Sequence, residues 1–268
     1  MSYLLQSPAE PARIRAKTDR LLIRHHLDWA GLEHGQSFVD FGCASGEVMR
    51  EAAGVAGAHG IVGIDGDGEA LEYARAEALR LGLTGLDHRE AFVNGPGSSG
   101  LDSDRYDHAW ARFFLEYHAR PLEAIREMTR VVRPGGKVTL IDIDGNCIWH
   151  FPLPGELERR LAAVLGDLRR TGFDPRIGSK LSSMARRAGL VDVRESVEPH
   201  HRILGVPDEP TAEAWRRKLG AVKAAYERLM PRRDSNAQAL DDLLAFILRD
   251  DTMTWSLLHL VQGTKPAG

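Results

Sequence analysis

From Ser37 to Ile143 the chain alternates short apolar runs with longer stretches of helical period. The runs Ser37–Phe41, Gly60–Asp65, Leu86–Ala91, Tyr106–Ala111 and Lys137–Ile143 read as strands. Several are apolar almost throughout, as strands covered on both faces are. Between them, Glu47–Ala56, Gly68–Leu81 and Pro121–Val132 repeat apolar residues at helical spacing. Gly57 and Gly82 stop the first two helices, and Pro121 suits the first turn of the third. Gly95–Ser103 is a glycine- and serine-rich surface loop, and Pro134-Gly135-Gly136 is a turn. Strands alternating with helices at these intervals predict a parallel α/β sheet.

Beyond Gly145 the rhythm changes. Glu156–Arg170 and Ser179–Ala188 are helical, Val191–Val197 alternates like a strand, and Met253–Val261 is a final strand. Thr211–Leu229 and Asn236–Arg249 form a helical insertion at about 205–250, before that last strand. Such an insertion suits a substrate cover or a subunit contact, or simply pads the sheet edge. At the other end, residues 1–36 read as an N-terminal helical lid on a domain spanning 37–268. Pro8 and Pro11 make an extended lead-in. An amphipathic helix follows over Arg13–Arg24, its apolar side marked by Ile14, Leu21, Leu22 and Leu27.

Composition narrows the partners. With 268 residues, 43% hydrophobic and a net charge of -3, the chain has no global attraction for nucleic acid or an anionic membrane. The basic pairs, such as Arg169-Arg170 and Arg216-Arg217, are scattered along helices beside acids. Cys43 and Cys147 suggest no disulfide framework and fit a reducing, cytoplasmic setting. There is no signal-peptide core and no apolar run long enough to span a bilayer.

The most specific stretch is Val39-Asp40-Phe41-Gly42-Cys43-Ala44-Ser45-Gly46-Glu47. A strand that feeds a tight glycine turn lets a ligand approach bare backbone at the carboxyl end of a sheet. The loop is Asp-x-Gly-x-x-x-Gly and lacks the three-glycine fingerprint of dinucleotide sites, which argues against a nicotinamide oxidoreductase. Asp40 puts a carboxylate beside the turn, which suits a cationic or amine-bearing ligand. Asp65 ends the second strand, where a carboxylate can accept from both hydroxyls of a ribose or, alternatively, cap the next helix. Glu90-Ala91-Phe92 ends the third strand. Tyr106–Tyr117 and then Arg130-Val131-Val132-Arg133-Pro134-Gly135-Gly136 follow.

In this register the sequence resembles the class I S-adenosylmethionine (SAM) methyltransferases, of the type 11, UbiE-like kind, over roughly Val39–Asp144. Asp40, Gly42, Cys43 and Gly46 match the family's first motif, with Ala44 in place of its middle glycine. The resemblance implies a Rossmann-like sheet, mostly parallel with an antiparallel last strand, and helices on both faces. It implies that Asp65 binds the ribose, that Gly66 lets the adenine lie close to the chain, and that Glu90 accepts from the adenine amino group. Phe92 stacks on the adenine or fills core. Arg112 lies at the methionine end of the cofactor, where it pairs with a carboxylate or, alternatively, with Glu116 one turn on. Tyr3 sits in an N-terminal segment that related enzymes fold over the cofactor.

The implied reaction is in-line transfer of a methyl group from SAM, leaving S-adenosylhomocysteine. It requires positioning and exclusion of water, and a base only if the acceptor must lose a proton. The expected acceptor is a small molecule, a secondary metabolite or an aromatic or quinone-like compound. Trp149-His150-Phe151 packs two aromatics round an imidazole, making His150 the candidate base; His200, His201 and His259 are alternatives. Asp142-x-Asp144-x-Asn146 has the oxygen ligands a metal would want, but no metal is expected. No Asn/Asp-Pro-Pro-Tyr motif follows the fourth strand, where residues 111–114 read Ala-Arg-Phe-Phe, so a nucleic-acid acceptor is not expected. Two other readings stand beside this one: a non-catalytic SAM-binding partner or regulatory subunit, and methylation coupled to cyclisation. Homodimerisation through the N-terminal helices or the insertion stays open.

Overall fold

The computed structural model describes residues 19–231 and 234–267; Tyr3, Pro8, Pro11 and Ile14 lie outside them. Seven strands form one sheet: β1 Phe38–Phe41, β2 Ile61–Asp65, β3 Leu86–Glu90, β4 Tyr106–Arg112, β5 Val132–Phe151, β6 Val191–Leu204 and β7 Met253–Thr264. Their order is β3-β2-β1-β4-β5-β7-β6, with β7 antiparallel between β5 and β6 and the rest of the pairs parallel. The winding reverses between β1 and β4, where Asp40 lies opposite Gly63 on one side and Trp110 on the other. In open α/β sheets the ligand crevice lies beyond the carboxyl ends of the strands at such a reversal.

The helices are α1 Arg20–Ala30, α2 Glu47–Ala56, α3 Gly68–Arg80, α4 Pro121–Val131, α5 Gly155–Arg169, α6 Leu181–Arg187, α7 Glu209–Leu229 and α8 Asp234–Ile247. Strand alternation divides the core between two faces. Phe38 and Trp110 point to the face covered by α1 and α2, with Ile23, Leu27 and Met49. Val39, Phe41 and Ala111 point to the face covered by α4 and α6, with Ile125, Met128 and Leu181.

Asp19 caps helix α1, its Oδ1 accepting from the N–H groups of Leu21 and Leu22, and the earlier part of the expected Arg13–Arg24 helix lies outside the described residues. That phase turns Ile23, His26, Leu27 and Ala30 inward, at helical spacing, and leaves Leu21 75% exposed, so Leu21 does not mark the apolar side. Arg20 and Arg24 then both reach Glu51 on α2.

Strand β5 does not end at Ile143. Gly145 (φ 83°) and Cys147 (φ 56°) form a bulge, and pairing resumes with Trp149 opposite Trp255 and His150 opposite Thr254. Nor is the late helical unit only the predicted insertion between the last two strands. Leu161, Val164 and Leu168 of α5 join Trp215, Tyr226, Leu240 and Leu243 of α7 and α8 in a third core. The Tyr226 hydroxyl donates to Asp167 at 2.6 Å, tying α7 to α5. The result is a three-helix cap over the sheet with its own apolar centre.

Glu127 of α4 holds the 95–103 loop. Its carboxylate accepts from Gly97 N–H at 2.6 Å, Ser99 N–H at 3.1 Å, the Ser99 hydroxyl, and Arg130 at 2.8 Å. Burial opposes its charge, but the Arg130, Ser99 and Gly97 donors outweigh burial and hold the carboxyl at about 2. A depressed carboxyl stabilises the fold above its unfolded value, and that stability is lost as pH falls toward 2. Glu127→Gln should lower stability by about 1–3 kcal/mol at pH 7 in denaturant titration, with a smaller difference at pH 3.

Candidate active site

Directly after β1 the chain turns through three left-handed residues, Gly42 (φ 77°), Ala44 (φ 43°) and Gly46 (φ 75°). The N–H groups of Gly42 and Cys43 both donate to the Ile64 carbonyl, at 2.8 and 3.1 Å, so the loop folds across the end of β2. There Asp65 clamps it: Oδ2 accepts from Ala44 N–H at 2.8 Å and Oδ1 from Asp67 N–H at 2.9 Å. The clamp holds Ala44 where an L-residue pays roughly 1–2 kcal/mol, a position the family's glycine occupies without strain. The helix-capping role weighed for Asp65 falls to Asp67, whose Oδ1 accepts from Glu69 and Ala70 N–H at 3.1 and 3.2 Å. Asp65 is left at the carboxyl end of β2 with acceptor capacity beyond these two bonds.

Asp40 is buried one residue below the turn. Burial, with Asp65 adding and Arg112 opposing, pushes its carboxyl up to about 8. At neutral pH it is therefore mostly protonated in the free chain, unlike the charged group the sequence suggested. Burial also raises Asp65, against the pull of the Ala44 and Asp67 N–H groups. Arg112, at the end of β4, is brought down to about 10 by burial, with Asp40, Asp142 and Asp19 opposing. Its guanidinium lies 4.5 Å over the Phe113 ring, and its Nε is buried with no hydrogen-bond partner among the described residues. The alternative pairing with Glu116 does not form; Glu116 is buried and accepts from Asn146 Nδ2 at 3.0 Å.

Gly66, Glu90, Ala91 and Phe92 come together at the ends of β2 and β3. Ala91 N–H donates to the Asp65 carbonyl at 2.9 Å. A Cβ on Gly66 would lie 2.5 Å from the Phe92 ring, and that ring is 56% exposed, so it does not fill core. The Glu90 carboxylate stands exposed over the start of α3, beside Gly68. Tyr3 falls outside the described residues.

On the acceptor side the picture departs from the sequence. Trp149 and Phe151 do not flank the His150 imidazole, because strand alternation sends them to the opposite face. Trp149 stacks on Trp255, whereas His150 is buried edge-on to Phe246 of α8, with Nδ1 2.9 Å from Thr254 Oγ1. Burial and the charge of Lys218 bring His150 down to about 4, so it is neutral at pH 7. His259 is bound to Glu195, and His201 contacts Ser256 and Trp215. Asp142 accepts from Glu116 and Ile143 N–H, and Asp144 from Ser179 N–H, so both carboxylates brace backbone. Among the described residues no group of three or more His, Cys, Asp or Glu could hold a metal ion, and no helix is long and apolar enough to cross a membrane.

One pocket opens between the sheet and the cap, lined by Tyr117, Cys147, Leu161, Phe173 and Val222, with Asn146 and Lys218 as its strongly polar groups. The sequence reading missed Lys218. The signal was there: it lies three residues after Trp215 and four before Val222, on the buried side of an amphipathic helix.

A family model described as a methyltransferase domain matches residues 39–140. The ubiquinone biosynthesis O-methyltransferase of Aeromonas salmonicida (strain A449) is 32% identical over 124 residues, 45% of this chain and 50% of that protein. The match thus spans about half the length of that relative. The ubiquinone/menaquinone biosynthesis C-methyltransferase UbiE of Ectopseudomonas mendocina (strain ymp) is 24% identical over 78% of this chain and 74% of its own. Among solved structures, Haemonchus contortus phosphoethanolamine N-methyltransferase 2, in complex with phosphomonomethylethanolamine and S-adenosylhomocysteine, superposes with a TM-score of 0.59 at 16% identity, covering 92% of this chain and 53% of that one. The matched stretch starts in β1 just before its turn and runs through the switch point into β5, and over residues 39–140 the chain is similar to methyltransferase domains.

Proposed function

We propose that the protein is a cytoplasmic, SAM-dependent methyltransferase of a small-molecule acceptor, an aromatic, quinone-like or other secondary metabolite. The observation that carries this is the Asp65 clamp, a carboxylate that fixes a strained backbone loop and still has acceptor capacity at the sheet's switch point. Arg112 adds, at the end of β4, a buried donor without a hydrogen-bond partner among the described residues.

In this proposal Asp65 accepts from the ribose hydroxyls, and Glu90 accepts from the adenine amino group beside Gly66, Ala91 and Phe92. The Gly42–Gly46 backbone, with Ala44, lies under the methionine portion. Arg112 pairs with its carboxylate, and Asp40 faces its amino group or sulfonium. SAM supplies a methyl group already activated on sulfur. The chain's task is to line up acceptor and cofactor and keep water out. His150, neutral at pH 7, takes the acceptor's proton if one must leave. Tyr3 belongs to the segment that would close over the cofactor.

Calorimetric titration of the full chain with SAM and with S-adenosylhomocysteine tests the proposal. Micromolar binding of both is expected, followed by label transfer from methyl-labelled SAM to small aromatic acceptors. Binding without transfer to any acceptor would favour the regulatory-subunit reading; no binding of either ligand by folded protein would sink the proposal.

A further inference from the structure

The cap carries a cation that cofactor binding leaves unused. Lys218 Nζ donates to Asn146 Oδ1 at 2.8 Å and lies 4.4 Å over the Trp215 ring. No carboxylate among the described residues forms an ion pair with it. The nearest acid in its chain of contacts is Glu116, one amide away, through the Asn146 Nδ2 donor. Its neighbours on α7 behave differently. Arg216 pairs with Glu209, Arg217 with Glu213, and Lys223 with Asp241. Those cations pair on the helix flanks, whereas Lys218 is turned into the molecule. A part-buried ammonium held only by a neutral amide and a ring face has given up water without gaining a counter-charge.

What Lys218 faces is the pocket under the cap, whose other walls are apolar: Leu161 and Leu165 of α5, Phe173, and Val222 of α7. Among the described residues, Lys218 is the one charged residue lining it. Tyr117 follows β4 and Asn146 follows the regular part of β5, so the pocket stands over the carboxyl ends of these strands, across the switch point from the Asp65 loop. The charge of Lys218 is felt at His150, which puts the candidate base on the same side.

We infer that this pocket receives the methyl acceptor, and that the acceptor is a molecule with an apolar aryl or alkyl body and one anionic oxygen group that pairs with Lys218. The inference rests on the methyltransferase reading above. An ammonium and a carboxylate meeting away from water form a charge-assisted bond, and a neutral isostere leaves the ammonium unpaired, so the site discriminates on charge. The void now measures about 30 Å³, room for little more than a water molecule. Entry therefore requires α5, α7 and α8 to shift from the strand ends, which a cap built round its own core can do as a unit.

The test uses 4-butylbenzoate and 4-butylbenzamide, a pair matched in shape and differing in charge. Each is titrated into the full 268-residue chain saturated with S-adenosylhomocysteine, as wild type, Lys218→Met and Lys218→Arg. Wild type should bind the benzoate at least about tenfold more tightly than the amide. The preference should vanish in Lys218→Met and persist in Lys218→Arg, with S-adenosylhomocysteine affinity unchanged in all three. Equal affinities in wild type, no binding of either probe, or a preference that survives Lys218→Met would overturn the inference. A wild type that takes up no S-adenosylhomocysteine would overturn the methyltransferase reading itself, and this inference with it.

Discussion

Asp65→Ala is expected to bind S-adenosylhomocysteine about a hundredfold more weakly than wild type in calorimetry. An ionised carboxylate offers about four acceptor positions. Two are taken by the Ala44 and Asp67 N–H groups, the Gly66 N–H also acts on the carboxylate, and in the proposed function the remaining capacity is offered to the ribose. Hydrogen bonds to a charged group contribute about 1.5–3 kcal/mol each, so losing two to a ribose costs about 3 kcal/mol or more. The substitution also releases the clamp, and Ala44 then has reason to leave its left-handed conformation. Asp65→Asn separates the two effects. Its amide oxygen can still accept from Ala44 N–H, so the loop should hold and affinity should fall by only about tenfold. Far-ultraviolet dichroism would confirm that both variants fold. Wild-type affinity in folded Asp65→Ala would remove the ribose assignment.

Strands β1, β2 and β4 were legible because each is a short apolar run between clear stops, and burial on both faces leaves no ambiguity of period. The family's loop could be read because its glycines answer a backbone demand: Gly42 and Gly46 sit at φ 77° and 75°. Legibility failed where partners are distant in sequence. Asp144-Gly145-Asn146 has the composition of a turn, and only pairing with β7, more than a hundred residues on, shows that it is a bulge within β5. The sequence shows α5 as a helix but not as part of the cap, because the residues it packs on lie in α7 and α8. The aromatic triplet at 149–151 misled for a simpler reason. Adjacent residues in sequence face opposite ways in a strand, so Trp149 and Phe151 cannot enclose His150. The site's electrostatics were the least legible. Asp40 reads as a charge in the sequence, and nothing local there announces that it is buried beneath its own loop.

That burial leads to the second large effect. SAM binding at pH 7 should release close to one proton, and the release should disappear in Asp40→Asn. The folded chain holds the Asp40 carboxyl at about 8, far above the roughly 3.9 of an unfolded aspartate. Between those values the folded state keeps a proton that the unfolded state has shed. The contribution to stability is therefore present at low pH and is lost as pH rises from about 4 to 8. A cationic ligand group beside the carboxyl reverses the balance by favouring the ionised form, so binding expels the proton. The melting temperature of the free wild type should thus fall relative to that of Asp40→Asn between pH 5 and 8, while the increment given by SAM grows over the same range. Asp65 is also raised and contributes with the same sign, so the Asp40→Asn difference isolates the Asp40 share. Calorimetry in two buffers of different ionisation enthalpy counts the proton directly. If wild type and Asp40→Asn release the same number, Asp40 does not face the cofactor's cation, and the positive group must lie elsewhere in the crevice.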